Sequence, residues 1–311
     1  MQFSDFEIRG WQPDETHVQV IVHNSPAGYM RKPVTVQFEP DRLSILRSIF
    51  EQPSWYVEPS LSKHLMRLGQ SLAELLLPRP VQALLASSLQ RLPAGDGLRI
   101  RLCLDGPLVD LPWEYLALSD GHGPDSPAGF LCLDPRISLV REPAATSIKA
   151  SPSDRDQRMV FAGMLWSDGQ KHWRVEEEYE ELCKTLEPAK KGMSVHLTTA
   201  DKDQITMSLL KPALIFHYAG HTYSEESQGY LVREVRGQQP LDLIYISDLT
   251  SVDCDLLSSE SLATMLQRAK TRLALFSAAN SGRWAFVEPL LRAGIPAVIG
   301  TQGLTSTKAL A

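Results

Sequence analysis

The sequence is poor in cysteine and has no long apolar run. Its four cysteines (Cys103, Cys132, Cys183 and Cys254) lie far apart without any Cys-x-x-Cys pair, which argues against a zinc ribbon and a disulfide framework. Nowhere do about eighteen apolar residues follow one another, as a membrane-spanning helix requires. The first ten residues contain two acids and no apolar segment of a signal peptide. We therefore expect buried free thiols in a cytoplasmic protein without a membrane partner.

The chain also lacks a basic run and a nucleotide-binding loop. Its 311 residues include 31 basic and 37 acidic side chains, which gives a formal net charge of -6. No electropositive stripe for nucleic acid is therefore expected. No Gly-x-Gly-x-x-Gly follows an apolar run, so the sequence predicts no nucleotide cofactor.

The N-terminal part predicts a mixed α+β region. Residues 16–24 and 33–39 alternate apolar and polar side chains around the turn sequence Ser-Pro-Ala-Gly, which predicts a β-hairpin. Over residues 61–92 apolar side chains recur every three or four positions, and Pro78 and Pro80 divide this run into two helices. Further strands are predicted at 99–104 and, as short apolar strands around a polar loop, within 107–118 and 130–142.

A linker then separates two predicted domains. Residues 143–157 show no apolar periodicity and are rich in Ser, Pro and charged side chains, which is typical of a linker. We therefore assign 1–150 to the N-terminal region and 151–311 to a second domain. In the second domain apolar runs alternate with amphipathic helices, which predicts a mostly parallel sheet flanked by helices. The predicted strands are 159–165, 194–198, 213–218, 230–234, 243–247, 272–278 and 296–301, and the predicted helices are 175–186, 203–210, 259–269 and 284–293.

Two strand ends carry reactive side chains, and the carboxyl ends of parallel strands are where such groups collect. One run ends in HYAGH, from His217 to His221, and the other in SAANSG, residues 277–282. The two histidines lie four residues apart, a spacing that joins metal ligands on a helix but not at a strand end interrupted by Gly220. No metal site is therefore predicted. Taken alone, the first segment is equally compatible with buried, hydrogen-bonded histidines.

Taken together, the two segments resemble the CHAT family of caspase-like cysteine peptidase domains. In that family a hydrophobic strand runs into His-x-x-Gly-His and a later strand runs into Ser-Ala-Cys-x-x-Gly, and this chain has HYAGH and SAANSG in that order. The segments LPWEYL with FLCLDPRISLVRE upstream and LLRAGIPAVIGTQG downstream are also similar to the family. The resemblance covers roughly residues 97–303 and implies a caspase-like α/β fold.

The resemblance also implies a catalytic dyad. It makes His221 the general base and proton donor, and it makes position 279 the thiol nucleophile. An imidazole beside a cysteine favours the thiolate and later protonates the leaving amine. Backbone N–H groups near Gly220 and position 279 would hold the oxyanion, with His217 and Asn280 as supporting residues.

Specificity residues follow from the same resemblance. Ser277 is expected to line the floor of a substrate pocket. Asp168, in the loop after the first sheet strand, is a candidate for binding a basic side chain before the cut, although a solvated loop acid fits as well. The acidic run Val175–Leu182 predicts a solvent-facing helix rather than a docking face.

The residue at the nucleophile position is alanine. The methyl group of Ala279 neither attacks a carbonyl nor ionises, so the chain as given is expected to be inactive. Two interpretations remain: an engineered Cys→Ala change, which the intact neighbouring motif favours, or a naturally inactive relative that binds proteins. A serine hydrolase using Ser277 or Ser281 is disfavoured because neither lies in Gly-x-Ser-x-Gly.

The resemblance further implies partners and context. A protein substrate and an activating partner are expected, in a regulated bacterial defence or cell-death pathway. Because family members continue with at least one more helix and strand, the sequence is also expected to extend beyond Ala311.

Overall fold

A computed structural model of the chain describes residues 2–39, 41, 61–118, 127–143, 157–163, 175–186, 193–225, 228–236, 253–278 and 280–301. Contacts divide the chain into two compact units, Met1–Ala145 and Thr146–Ala311. The boundary predicted from linker composition falls between residues 150 and 151. Among the helices within the described ranges, none combines the length and the apolar character needed to cross a bilayer.

The first unit contains a five-stranded mixed sheet. Its strands are β1 (Phe3–Asp14), β2 (His17–Asn24), β3 (Val34–Gln37), β4 (Gly97–Leu104) and β5 (Ile137–Arg141). They lie in the order β3-β2-β1-β4-β5. The antiparallel pair β2–β3 confirms the predicted hairpin. The sequence analysis missed β1, which is the central strand and pairs with both β2 and β4.

Two helices cover this sheet, and their separation at Pro78 was predicted correctly. They are α1 (Leu61–Leu76) and α2 (Arg79–Arg91), with a proline in the first turn of α2. A proline is tolerated there because the first helical N–H groups have no partner within the helix. The two helices and the sheet share one apolar core, which includes Phe6, Ile8, Val20, Leu72, Leu75, Leu76, Val81, Leu85 and Ile100.

The strands predicted within residues 107–118 are wrong. This segment forms tight 3-10 turns, and its indole at Trp113 is fully buried. The indole Nε1–H donates to the carbonyl of Leu108 at 2.7 Å, and Pro112 has no N–H to offer to a strand partner. The N–H groups of Tyr115 and Leu116 donate to carbonyls three residues earlier, which is the 3-10 pattern and not that of a strand ladder. The 3-10 helices of this unit are Gly106–Leu108, Trp113–Tyr115, Pro127–Gly129 and Leu131–Leu133.

The second unit is built on a five-stranded parallel sheet. Its strands are β6 (Gln157–Gly163), β7 (Met193–Thr199), β8 (Ile215–Ala219), β12 (Leu273–Ser277) and β13 (Ala297–Ile299). They lie in the order β13-β12-β8-β6-β7, and every neighbouring pair is parallel. The structure therefore confirms the α/β fold class that the strand and helix alternation predicts.

Helices pack on both faces of this parallel sheet. They are α3 (Val175–Leu186), α4 (Lys202–Leu209), α5 (Ser259–Arg268) and α6 (Trp284–Arg292). Alternate residues of the strands, such as Phe216 and Phe276, share a core with α4, α5 and α6. The intervening residues Phe161 and Ala219 pack instead with Val175 of α3. Side chains of the second set therefore face α3.

A small antiparallel sheet follows β8. Its strands are β9 (His221–Glu225), β10 (Gln228–Arg236) and β11 (Asp253–Ser258), in the order β11-β10-β9. His221 is the first residue of β9, and the strand predicted at 230–234 lies within β10. Strand β11 was not predicted, and the strand predicted at 243–247 lies outside the described residues.

Candidate active site

The two strand ends singled out in the sequence lie side by side in the structure. Strands β8 and β12 are parallel neighbours, and Ala219 is in register with Ser277. Beyond this pair the Gly220 N–H donates to the Ser277 carbonyl at 3.2 Å, which holds the two segments together where they leave the sheet. Gly220 is buried, and its own N–H is occupied by this bond.

Both positions of the predicted dyad come two residues after this register pair in the sequence. His221 comes two residues after Ala219 and begins β9. Ala279 comes two residues after Ser277 in the sequence, but it lies outside the described residues, as does Asp168. The sequence therefore carries both dyad positions past the carboxyl ends of adjacent strands.

Three polar side chains meet at this end of the sheet on the face covered by α3. His217 Nε2 lies 2.9 Å from Ser277 Oγ and 3.0 Å from Glu178 Oε1. The Ser277 hydroxyl donates to the same Glu178 oxygen at 2.6 Å. Because a carboxylate only accepts hydrogen bonds, the serine O–H and a protonated Nε2 are the donors of this cluster.

The ring of His217 is packed rather than solvated. Its side chain is 9% exposed, and it meets Phe161 edge-on at a centroid distance of 4.8 Å. Its Nδ1 is buried without a hydrogen-bond partner among the described residues. Tyr179 also contacts Phe161, and a hydrogen bond with Cys183 raises the pKa of Tyr179. His217 is therefore a buried side chain held by Glu178, Ser277 and Phe161 and shielded from solvent.

A hydrogen-bond network fixes the turn that begins at Ala278. The fully buried Ser281 hydroxyl donates to the Ala278 carbonyl at 2.7 Å and accepts the Thr301 N–H at 2.9 Å. The Thr301 hydroxyl also donates to the Ala278 carbonyl. The Gly282 N–H donates to the Thr301 carbonyl at 2.7 Å. The residues on either side of Ser281, Ala278 and Gly282, are therefore both hydrogen-bonded to Thr301, which lies just after β13.

Asn280 has a special backbone conformation within this turn. Its φ is 59°, in the left-handed region that Asn tolerates better than most side chains. Its carbonyl accepts the Arg283 N–H at 3.1 Å, directly before α6 begins. Asn280 thus shapes the turn that leads into α6.

Glu178 is the site residue that the sequence analysis missed. The run Val175–Leu182 was read as solvent-facing, and Glu176, Glu177 and Glu180 are indeed exposed. Glu178 instead turns toward the sheet, because it shares one helix face with Val175 and Leu182 at spacings of three and four. That apolar spacing was the available signal. Across the ranges that the structure describes, no cluster of His, Cys, Asp or Glu suits a metal ion.

The fold and the paired strand ends define the class of protein as a caspase-like α/β domain. A family model described as CHAT domain matches residues 66–311. The chain therefore belongs to the CHAT domain family, a family of caspase-like cysteine peptidases. A comparison with curated proteins found no match.

Proposed function

We propose that this chain is the peptidase domain of a cysteine endopeptidase in which His221 and the residue at position 279 form the catalytic dyad. The register pair Ala219–Ser277 carries the proposal, because both dyad positions follow it by two residues on neighbouring parallel strands. In the chain as given Ala279 supplies no nucleophile, so we expect no cleavage.

The chemistry requires a thiol at position 279. The His221 imidazole would take the thiol proton, and the thiolate would attack the scissile carbonyl carbon to form a tetrahedral oxyanion. Collapse of this intermediate expels the amine, which takes a proton from His221, and water then hydrolyses the thioester. The oxyanion would be held by backbone N–H groups of the turn held by Ser281 and Thr301, since the Gly220 N–H already donates to Ser277.

Family membership supports the wider setting of this proposal. A protein substrate, an activating partner and a role in bacterial defence or cell death in the cytoplasm fit a regulated peptidase. The residues flanking Ala279 match the family motif, with Ser277-Ala278 before it and Asn280-Ser281-Gly282 after it, and this favours an engineered Cys→Ala change.

The test is cleavage of a peptide library by the Ala279→Cys variant. We expect activity that disappears when His221→Ala is added and that is absent from the chain as given. Activity that survives His221→Ala would overturn the dyad assignment.

A second candidate function is a protein-binding module without catalysis, and the observation in its favour is Ala279 itself. This candidate predicts that the Ala279→Cys variant cleaves none of the peptides and that the same cleft still captures a protein partner. The residue encoded at position 279 in the parent gene is a further discriminator, since a cysteine there favours the peptidase.

A further inference from the structure

Glu178 differs from the other acids of α3 in its surroundings. Its neighbours Glu176 and Glu177 in the first helical turn are exposed, whereas the Glu178 side chain is only 19% exposed. Its Oε1 accepts from Ser277 and contacts His217. Among the described residues, no donor reaches its second oxygen and no Lys or Arg pairs with it.

A largely buried carboxylate is a strong acceptor for a cation when, as at Glu178, its second oxygen meets no donor among the described residues. Burial removes water that would otherwise stabilise the charge, and this cost is offset when a cation binds with good geometry. Guanidinium and ammonium groups make hydrogen bonds to carboxylates that are about twice as strong as neutral ones. The second oxygen of Glu178 therefore favours a positively charged ligand group over a neutral group of the same shape.

The location of Glu178 matches the length of a basic side chain. Ser277, which contacts Glu178, precedes position 279 by two residues in the sequence, so the Cα atoms of the two residues lie at most about 7 Å apart. An extended Lys or Arg side chain spans a comparable distance. A substrate whose carbonyl lies at position 279 could therefore bring the charged end of its preceding side chain to Glu178.

We infer that Glu178 is a specificity-determining residue that binds the Arg or Lys side chain immediately before the scissile bond of a protein substrate. The inference rests on the proposed function, because it takes the cleft of the peptidase as the place where the peptide binds. The Ser277 hydroxyl donates to this carboxylate at 2.6 Å and His217 Nε2 lies 3.0 Å from it, so both side chains hold it in position.

The first experiment measures binding to the chain as given, which retains Ala279 and cannot consume a ligand through a thiol. Nα-acetyl-arginine amide is compared with its citrulline counterpart, a neutral group of nearly the same shape, by NMR titration. We expect the arginine probe to bind about tenfold to a hundredfold more tightly, the range for hydrogen bonds to charged groups.

Variants on the same helix supply the control. Glu178→Gln should remove the preference for arginine over citrulline, whereas Glu180→Gln, at an exposed position, should keep it. Equal dissociation constants for the two probes, no detectable binding of the arginine probe, or the same loss with Glu180→Gln would overturn the inference.

The second experiment adds cleavage. In the Ala279→Cys background, Glu178→Gln should lower kcat/KM for peptides with Arg before the cut by about tenfold to a hundredfold relative to kcat/KM for the matching citrulline peptides. Cleavage with no preference for Arg or Lys would refute the inference and leave the peptidase intact. An arginine preference in binding without any cleavage would refute the peptidase and leave the recognition site intact.

Discussion

Replacing the buried Ser281 with alanine should destabilise the second unit. In the folded state the Ser281 hydroxyl donates to the carbonyl of Ala278 and accepts the N–H of Thr301. Ser281→Ala removes both bonds. The Ala278 carbonyl keeps the Thr301 hydroxyl as a donor, but the Thr301 N–H is left without this acceptor.

The expected loss of stability comes mainly from the Thr301 N–H, which loses an acceptor, because the Ala278 carbonyl keeps a donor. Removing the Ser281 acceptor from the part-buried Thr301 N–H should cost about 1–3 kcal/mol, more than the net value of an ordinary hydrogen bond. A loss of about 2 kcal/mol in the free energy of unfolding would lower the urea midpoint by about 1 M if the denaturant slope is about 2 kcal/mol/M. Urea unfolding followed by far-UV circular dichroism measures the midpoint and the slope together.

The Ser259→Ala variant is a matched control that should not lower the free energy of unfolding. The Ser259 hydroxyl is also fully buried, but it has no hydrogen-bond partner among the described residues, and Ser259 lies at the first position of α5. Ser259→Ala removes an unsatisfied polar group and raises helix propensity, so the free energy of unfolding should stay unchanged or rise. Equal destabilisation by Ser281→Ala and Ser259→Ala would refute the reasoning.

Two further changes test the turn and the N-terminal unit. Gly300→Ala would put a Cβ 2.7 Å from the backbone carbonyl of Ser281. We therefore expect this variant to lower the free energy of unfolding by about 1–3 kcal/mol and to abolish cleavage in the Ala279→Cys background. An unchanged urea midpoint would contradict the tight contact. Burial raises the pKa of the Cys103 thiol to about 11, so only about one thiol in a thousand is ionised at pH 8. Iodoacetamide should therefore label Cys103 in urea but not in the native protein, and equal labelling rates would contradict its burial.

Periodicity predicted the parallel sheet because each strand of that sheet and each helix packed on it carries its own apolar pattern. The central strand β1 was missed although Phe6, Ile8 and Gly10 alternate with Asp5, Glu7 and Arg9, a pattern that does predict a strand. The segment around Trp113 was wrongly predicted to contain strands. Its apolar residues are buried, but its backbone forms tight 3-10 turns, and the Trp113 indole bonds to the nearby carbonyl of Leu108.

The candidate site was predictable only in part. The sequence predicted that both segments end strands, but only the parallel register of β8 with β12 shows that His217 and Ser277 lie on the same face of neighbouring strands. The inward turn of Glu178 depends on how α3 packs against Phe161 and Ala219, which are distant in the sequence. Likewise, the hydrogen bond from the Thr301 N–H to Ser281 Oγ joins the turn to a residue that follows α6 and β13 in the sequence.

The measurement that tests the dyad most directly is the pH dependence of alkylation of the thiol in the Ala279→Cys variant, because it needs neither a substrate nor an activator. Labelling of that thiol by iodoacetamide, read by peptide mass spectrometry, should inflect well below the pKa of about 8.5 that is usual for a free cysteine. Adding His221→Ala should move the inflection back toward that value. An inflection near 8.5 that does not change with His221→Ala would contradict the assignment of His221 as the base of a cysteine peptidase.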